Sequence, residues 1–377
     1  MFNIKSIYFY FLALQISIVK IVKRIYFSTD YYHKSLKSKI PQQFYYHPNP
    51  FLLSTITDFK KFSFKISEID ANTFWIQPKN TKGQKELHNF FWLNLIDRKN
   101  DGKSLQKIIN LWILKYSKYK RNTWETSVLS KRIISWILNA DIILNNEFFD
   151  FKRNFLTSIV VQANHLKKNI KFEKDYSKKL EILVALLLTG LVFKEYEDNY
   201  EIALKGLENL VKDFFDEDGF PKTRNPSDLI FFTKYLTICK ESIKDAQKYM
   251  PEFLDDIVNK NLACIKNIQT PNNHLPLFNG GIEEDLKRFD KFIDENEFKT
   301  HGTEKNIGGI QKLRFKNSHV FFDIGSPPKK SFSKSYQSGP LSFEYYLDGL
   351  KIITNCGFGN KISSKAELLS RLTSAQS

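Results

Sequence analysis

The spacing of apolar residues changes once along this chain, near residue 305, and that change limits the fold more than any other feature. Before it, apolar side chains recur at helical spacing. Ile108, Leu111, Trp112 and Tyr116 follow Ser104 as a cap, and Ile133, Trp136, Ile137 and Ala140 continue the pattern within 128–144. Residues 88–96 open the series; 151–166, 179–193, 202–215, 228–242, 251–268 and 283–293 extend it, with Pro251 expected at a first helical position. After the change, residues 309–315, 318–324, 341–347 and 351–355 alternate as strands, with Asp348-Gly349 as a hairpin turn. The expected class is α+β multidomain: about nine helices in antiparallel hairpins curved into a layer or ring, then an all-β region. Gly190 and Gly206 sit inside helical runs at about 1 kcal/mol each against Ala, which predicts close helix packing around them.

Four strands alone leave an open edge and an uncovered face, so they either begin a larger β domain or take cover from the helices. Residues 28–80 read as irregular, interrupted by Pro41, Pro48 and Pro50, with 62–69 as a strand or short hairpin.

Charge narrows the partners. With 57 Lys and Arg against 41 Asp and Glu, the net charge of +16 points to a polyanion: nucleic acid, anionic lipid or acidic polysaccharide. The lysines are scattered, so a lysine-rich coding bias accounts for the excess equally well. Cys239, Cys264 and Cys356 show no CxxC spacing and the seven His are dispersed, so no metal site and no cofactor is expected. Residues 6–19 form an uncharged apolar run bounded by Lys5 and by Lys20, Lys23 and Arg24. That is short for a bilayer span. It suits an amphipathic helix over 6–24, packed on the body or in peripheral contact with a membrane, with an export signal as the alternative.

Several strings resemble the heparinase II/III-like family of polysaccharide lyases: 91–95 (FWLNL), 132–136 (RIISW), 218–226 (DGFPKTRNP), 276–281 (PLFNGG), 341–344 (LSFE), 355–357 (NCG) and 370–375 (SRLTSA). They fall in the family's order across the helix-to-strand change. The resemblance covers about residues 85–377 and implies an incomplete (α/α) toroid over 85–304, then the start of an antiparallel β-sandwich over 305–377 that should continue past Ser377. Residues 1–84 would be the N-terminal helix and an extended segment. It further implies a carbon–oxygen lyase cleaving uronic-acid polysaccharide by β-elimination, with a groove between toroid and sandwich, in the periplasm or cell envelope.

Such chemistry needs donors that neutralise the uronate carboxylate, a base for the C5 proton and an acid for the departing O4. The family's Asn-His pair falls on Lys178-Lys179, its Tyr on Asp228, and its two His on Gln337 and Gln376. The catalytic candidates are accordingly Gln337, Asp228, Tyr336 and His165, with Tyr235 behind them; Arg224, Asn225, Asn279 and Trp124 are the substrate-binding candidates. Each also has a plainer reading. Asn225 suits a helix cap before Pro226, Asn279 a turn before Gly280, Trp124 a core ring and His165 an interhelical residue. Because the usual proton-transfer residues are replaced, a non-catalytic glycan-binding envelope protein is the alternative. Acidic polysaccharide is the expected partner, nucleic acid is not, and a monomer or weak oligomer is the expected state.

Overall fold

The computed structural model describes residues 4–56, 71–75, 80–96, 98, 102–144, 149–295, 298 and 306–376. Helices come first, one antiparallel sheet follows and a short helix comes after it, so the class is α+β. Contacts divide the chain into two units, residues 1–50 with 59–202, and residues 51–58 with 203–377. The segment 62–69, expected as a strand, lies outside the described residues.

The first unit holds α1 (Ile4–Ser28), α2 (Asp30–Leu36), α3 (Ala71–Phe74), α4 (Thr81–His88), α5 (Gly102–Tyr116), α6 (Thr126–Leu138), α7 (Ala140–Ile143), α8 (Phe149–Asn169) and α9 (Tyr176–Val192). Its centre is α9, apolar on every side and buried from Leu180 to Val192. Helices α6 and α8 pack against it. Asp175 starts α9 by accepting from the Ser177 and Lys178 amides. Near its end, a Cβ on Gly190 would stand 2.3 Å from the Tyr200 amide, so the close packing expected at this glycine is present.

Local chemistry moved several boundaries. Residues 88–96 are not one helix: α4 ends at His88, Phe90 adopts φ 63°, and Phe91–Leu95 is a 3-10 turn, with the Asn89 side chain accepting from the Phe91 amide. Ser104 lies inside α5, not before it. The 128–144 run breaks at Asn139, whose φ of −110° and ψ of 20° leave the helical region. Asp30–Leu36, expected as irregular, is helical because the Thr29 hydroxyl caps it through the Tyr32 amide.

The second unit contains α10 from Ala203 on (Glu197–Phe214 as a whole), α11 (Pro226–Asp245), α12 (Glu252–Ile268), α13 (Lys287–Glu295), strands β1 (Ile310–Phe315), β2 (Ser318–Asp323), β3 (Phe343–Leu347) and β4 (Leu350–Ile353), and α14 (Ser364–Leu369). Pro251 caps α12 and is not its first residue; α13 begins at Lys287, later than the pattern suggested. The strands form a meander in the order β1-β2-β3-β4. Asp348 (φ 51°) and Gly349 (φ 79°) make the tight turn joining β3 to β4, as the dipeptide signalled. Ile310, Phe321, Asp323, Glu344 and Tyr346 are buried, and α12 contacts β1, so the sheet does take cover from a helix. Leu313, Phe315, Leu350 and Ile352 remain exposed.

Candidate functional site

The turn at 218–226 builds the second unit's polar centre. Phe215 and Pro221 form an isolated antiparallel bridge, Asp216 accepts from the Phe220 amide at 2.7 Å, and Gly219 turns with φ 83°. Helix α12 fastens the loop: Asn261 Nδ2 donates to the Gly219 carbonyl at 2.6 Å. Arg224 then takes a left-handed backbone (φ 57°), which aims its side chain inward.

A guanidinium has five N–H donors. Here Nε donates to the Gly308 carbonyl (3.0 Å), Nη1 to those of Gly325 (2.9 Å) and Ser326 (3.0 Å), and Nη2 to that of Gly309 (3.3 Å) and to the Asp323 carboxylate. No donor is left for a sugar carboxylate. The glycines are required: a Cβ on Gly309 or Gly325 would stand 2.5 or 2.4 Å from Nη2. The Arg224 and Asp323 side chains are 10% and 3% exposed. Asp323 also accepts from Asn279 Nδ2 at 2.9 Å, which places Asn279 inside this node.

Asn225 caps α11 by accepting from the Ser227 amide at 2.9 Å, and its Nδ2 reaches Ser335 Oγ at 3.5 Å. Gln337 is buried and its amide is engaged at both ends: Oε1 accepts from the Gly280 amide (3.0 Å), while Nε2 donates to the Gly357 (3.0 Å) and Ser370 (2.8 Å) carbonyls. Gln376 Nε2 donates to the same Ser370 carbonyl at 2.8 Å. Both glutamines at positions the resemblance assigns to His thus hold one backbone oxygen. Glu344, fully buried, accepts from Tyr346 OH at 2.9 Å and from the Leu277 amide at 3.3 Å, which ties strand β3 to the 276–281 turn.

Two catalytic candidates stand beside this node. Asp228, in the first turn of α11, accepts from Thr223 Oγ1 at 2.7 Å. Tyr336 is partly buried, and its hydroxyl makes no hydrogen bond among the described residues. Burial raises its pKa, the Asp323 charge adds to the rise and Arg224 opposes it, so the phenol stays protonated at neutral pH. Tyr235 is buried in α11 against Phe231. A cleft of about 710 Å³ opens near the turn, lined by Lys212, Lys222 and Lys260 together with Asp216, Asp218 and Asp256.

The remaining candidates lie in the first unit. His165 is 4% exposed, its Nδ1 meets Tyr32 OH at 2.7 Å, and its ring packs edge-on against Phe27 (5.1 Å) and Trp124 (5.2 Å). Burial pushes its pKa down to about 3, so it is a neutral core imidazole. Trp124 is 2% exposed and donates Nε1–H to the Tyr116 carbonyl at 2.9 Å; no face is open to stack on a sugar. Lys178 lies 3.2 Å from Glu125. Among the described residues, no group of His, Cys, Asp or Glu is placed to hold a metal ion.

No motif in the sequence marks Asp323. Its signal was parity: two residues after Phe321 in an alternating strand, it shares that residue's inward face. An inward carboxylate needs a buried cation, and Arg224 is that cation.

Residues 302–377 match the family described as Heparinase II/III-like, C-terminal. No curated protein matches the sequence. Among solved structures, a mutant of heparan sulfate lyase HepC from Pedobacter heparinus is similar with a TM-score of 0.66 at 16% identity, over 92% of this chain and 64% of that one. HepC itself gives a TM-score of 0.60 with the same identity and coverage. Heparinase III gives 0.58 at 13% identity, over 77% of this chain and 52% of that one. The chain therefore spans 52–64% of the length of these structures. In its C-terminal sequence and in its fold, helices followed by a four-stranded antiparallel sheet, the chain resembles the heparinase II/III-like proteins.

Proposed function

We propose that this protein acts on an acidic polysaccharide, cleaving uronate-containing chains by β-elimination. The observation carrying this reading is the coincidence of a heparinase II/III-like C-terminal match with the fold of heparan sulfate lyases, in a chain of net charge +16. In the reaction a base takes the C5 proton and passes it to solvent, the C4–O4 bond breaks with its electron pair on O4, O4 takes up a proton, and a C4=C5 double bond remains. Tyr336 is assigned the proton donation, since its hydroxyl is protonated and makes no bond among the described residues. Arg224, Asn279 and Gln337 shape the surface around it instead of touching the sugar. The place of action is proposed to be the periplasm or cell envelope, where such polymers occur.

The test is incubation with heparan sulfate and other uronate polymers, following the ultraviolet absorbance of the unsaturated product. Tyr336→Phe should lower the rate by about 10²–10⁴ and leave polymer binding intact. A second reading, a glycan-binding protein without catalysis, is favoured by the full engagement of Arg224 and Gln337 in protein contacts. Retained binding with no absorbance change from any polymer would select it. Binding that ignores sugar type and vanishes with salt would overturn both.

A further inference from the structure

Helix α1 is exposed on every side from residue 7 to residue 22. Phe9 (64%), Phe11 (69%), Ile16 (47%), Val19 (49%) and Ile21 (52%) face solvent all around it. Apart from the Tyr8 and Tyr10 hydroxyls, only Gln15, Ser17 and Lys20 carry polar side-chain groups in that stretch, and Ser17 turns its hydroxyl back onto the Ala13 carbonyl at 2.8 Å. A helix apolar all round is normally buried, and an apolar surface of this extent calls for a cover.

The pattern says what kind of cover. A protein groove takes one stripe of a helix and would leave the other faces wet. Lipid surrounds all faces, and it requires polar groups to be satisfied within the helix, as Ser17 is. The charges agree. Lys20, Lys23 and Arg24, three and four residues apart, share one arc of α1 at its junction with α2, and none is in an ion pair among the described residues. Lys23 Nζ and Lys171 Nζ stand 4.3 and 5.0 Å from the Phe172 ring centre, extending the cationic collar onto the body of the unit. The exposed stretch is roughly 24 Å long at 1.5 Å per residue. No described helix is long and apolar enough to cross a membrane.

We propose that α1 embeds in a lipid bilayer bearing anionic headgroups, with Lys20, Lys23 and Arg24 at headgroup level. The proposal stands apart from the polysaccharide reading. Flotation of the full 377-residue chain with phosphatidylcholine vesicles, with and without about a quarter phosphatidylglycerol, tests it. The chain should rise with the anionic vesicles, and the Lys20→Glu/Lys23→Glu/Arg24→Glu variant should lose on the order of 100-fold in partition. Phe9→Gln/Leu12→Gln/Ile16→Gln should abolish recovery with either vesicle; all three side chains are exposed, and circular dichroism should show the fold unchanged. An unaltered chain that stays at the bottom with both vesicles overturns the proposal, as does a dimer through α1 that forms without lipid and leaves vesicles unbound. Equal recovery from neutral and anionic vesicles would overturn the headgroup assignment.

Discussion

Each unit buries an arginine, and the two are neutralised differently. Arg224 meets the Asp323 carboxylate and four carbonyls, each of its donors engaged. Arg132, 0% exposed in α6, has no carboxylate beside it. Its Nε donates to Gln162 Oε1 at 2.6 Å, and Nη1 donates to the His88 and Thr123 carbonyls at 2.9 and 3.0 Å. Its guanidinium carbon lies 4.2 Å from the Trp112 ring centre, and Nη2 has no hydrogen-bond partner among the described residues. Burial lowers its pKa accordingly. The difference follows from the surroundings. Tight turns around Gly308, Gly309 and Gly325 free several carbonyls in one place, and β2 delivers a carboxylate beside them. Between helices most carbonyls are already bonded, so aromatic faces and helix-end carbonyls do the work.

The sharpest way to break this contrast is to remove the carboxylate. Asp323→Ala should cost about 3–5 kcal/mol in urea unfolding of the chain, because it leaves a buried cation uncompensated. Arg224→Met/Asp323→Leu together should cost less than Asp323→Ala alone; additive losses would show that the pair is not coupled. Gln337→Ala, which strands the Gly280 amide and two carbonyls, should cost about 1–3 kcal/mol by the same measurement.

The first unit should instead be sensitive to acid. Burial pushes both His88 and His165 down to about 3, below the unfolded value near 6.5. The unfolded chain therefore binds the protons first, and stability is full above about pH 6.5 and falls as pH drops toward 3. Each histidine should contribute about 1.4 kcal/mol per pH unit in that window. Melts from pH 7 to pH 4 of the chain and of His165→Phe should differ in slope; equal slopes would refute the assignment. The smallest effect is expected at Arg132→Met. Loss of its three hydrogen bonds is offset by removal of an unpaired buried charge, for a net cost of about 1 kcal/mol or less. A cost matching that of Asp323→Ala would erase the contrast between the units.

Local signals were legible where a residue acts on its own backbone. Asn225 before Pro226 read as a cap and is one; Asp348-Gly349 read as a turn and is one; Gly190 read as a close approach and meets Tyr200. The candidate site was less legible. Arg224 and Asn279 carry the donors a sugar carboxylate needs, and nothing local reveals that those donors point at Asp323, 99 and 44 residues away. The same holds for His165 and Trp124, whose cage is assembled from α1, α2 and the 119–124 turn.

By itself, then, the sequence determined the order of helices and strands beyond residue 102, the Asn225 cap and the Asp348-Gly349 turn, because spacing and backbone preference are properties of neighbours in the chain. The turn at 218–226 was recognisable for the same reason. Only the tertiary structure decided that Arg224 and Gln337 face inward and that the Tyr336 hydroxyl is left without a partner among the described residues. A donor's role depends on which acceptors the fold brings within 3 Å of it, and those acceptors belong to residues far along the chain.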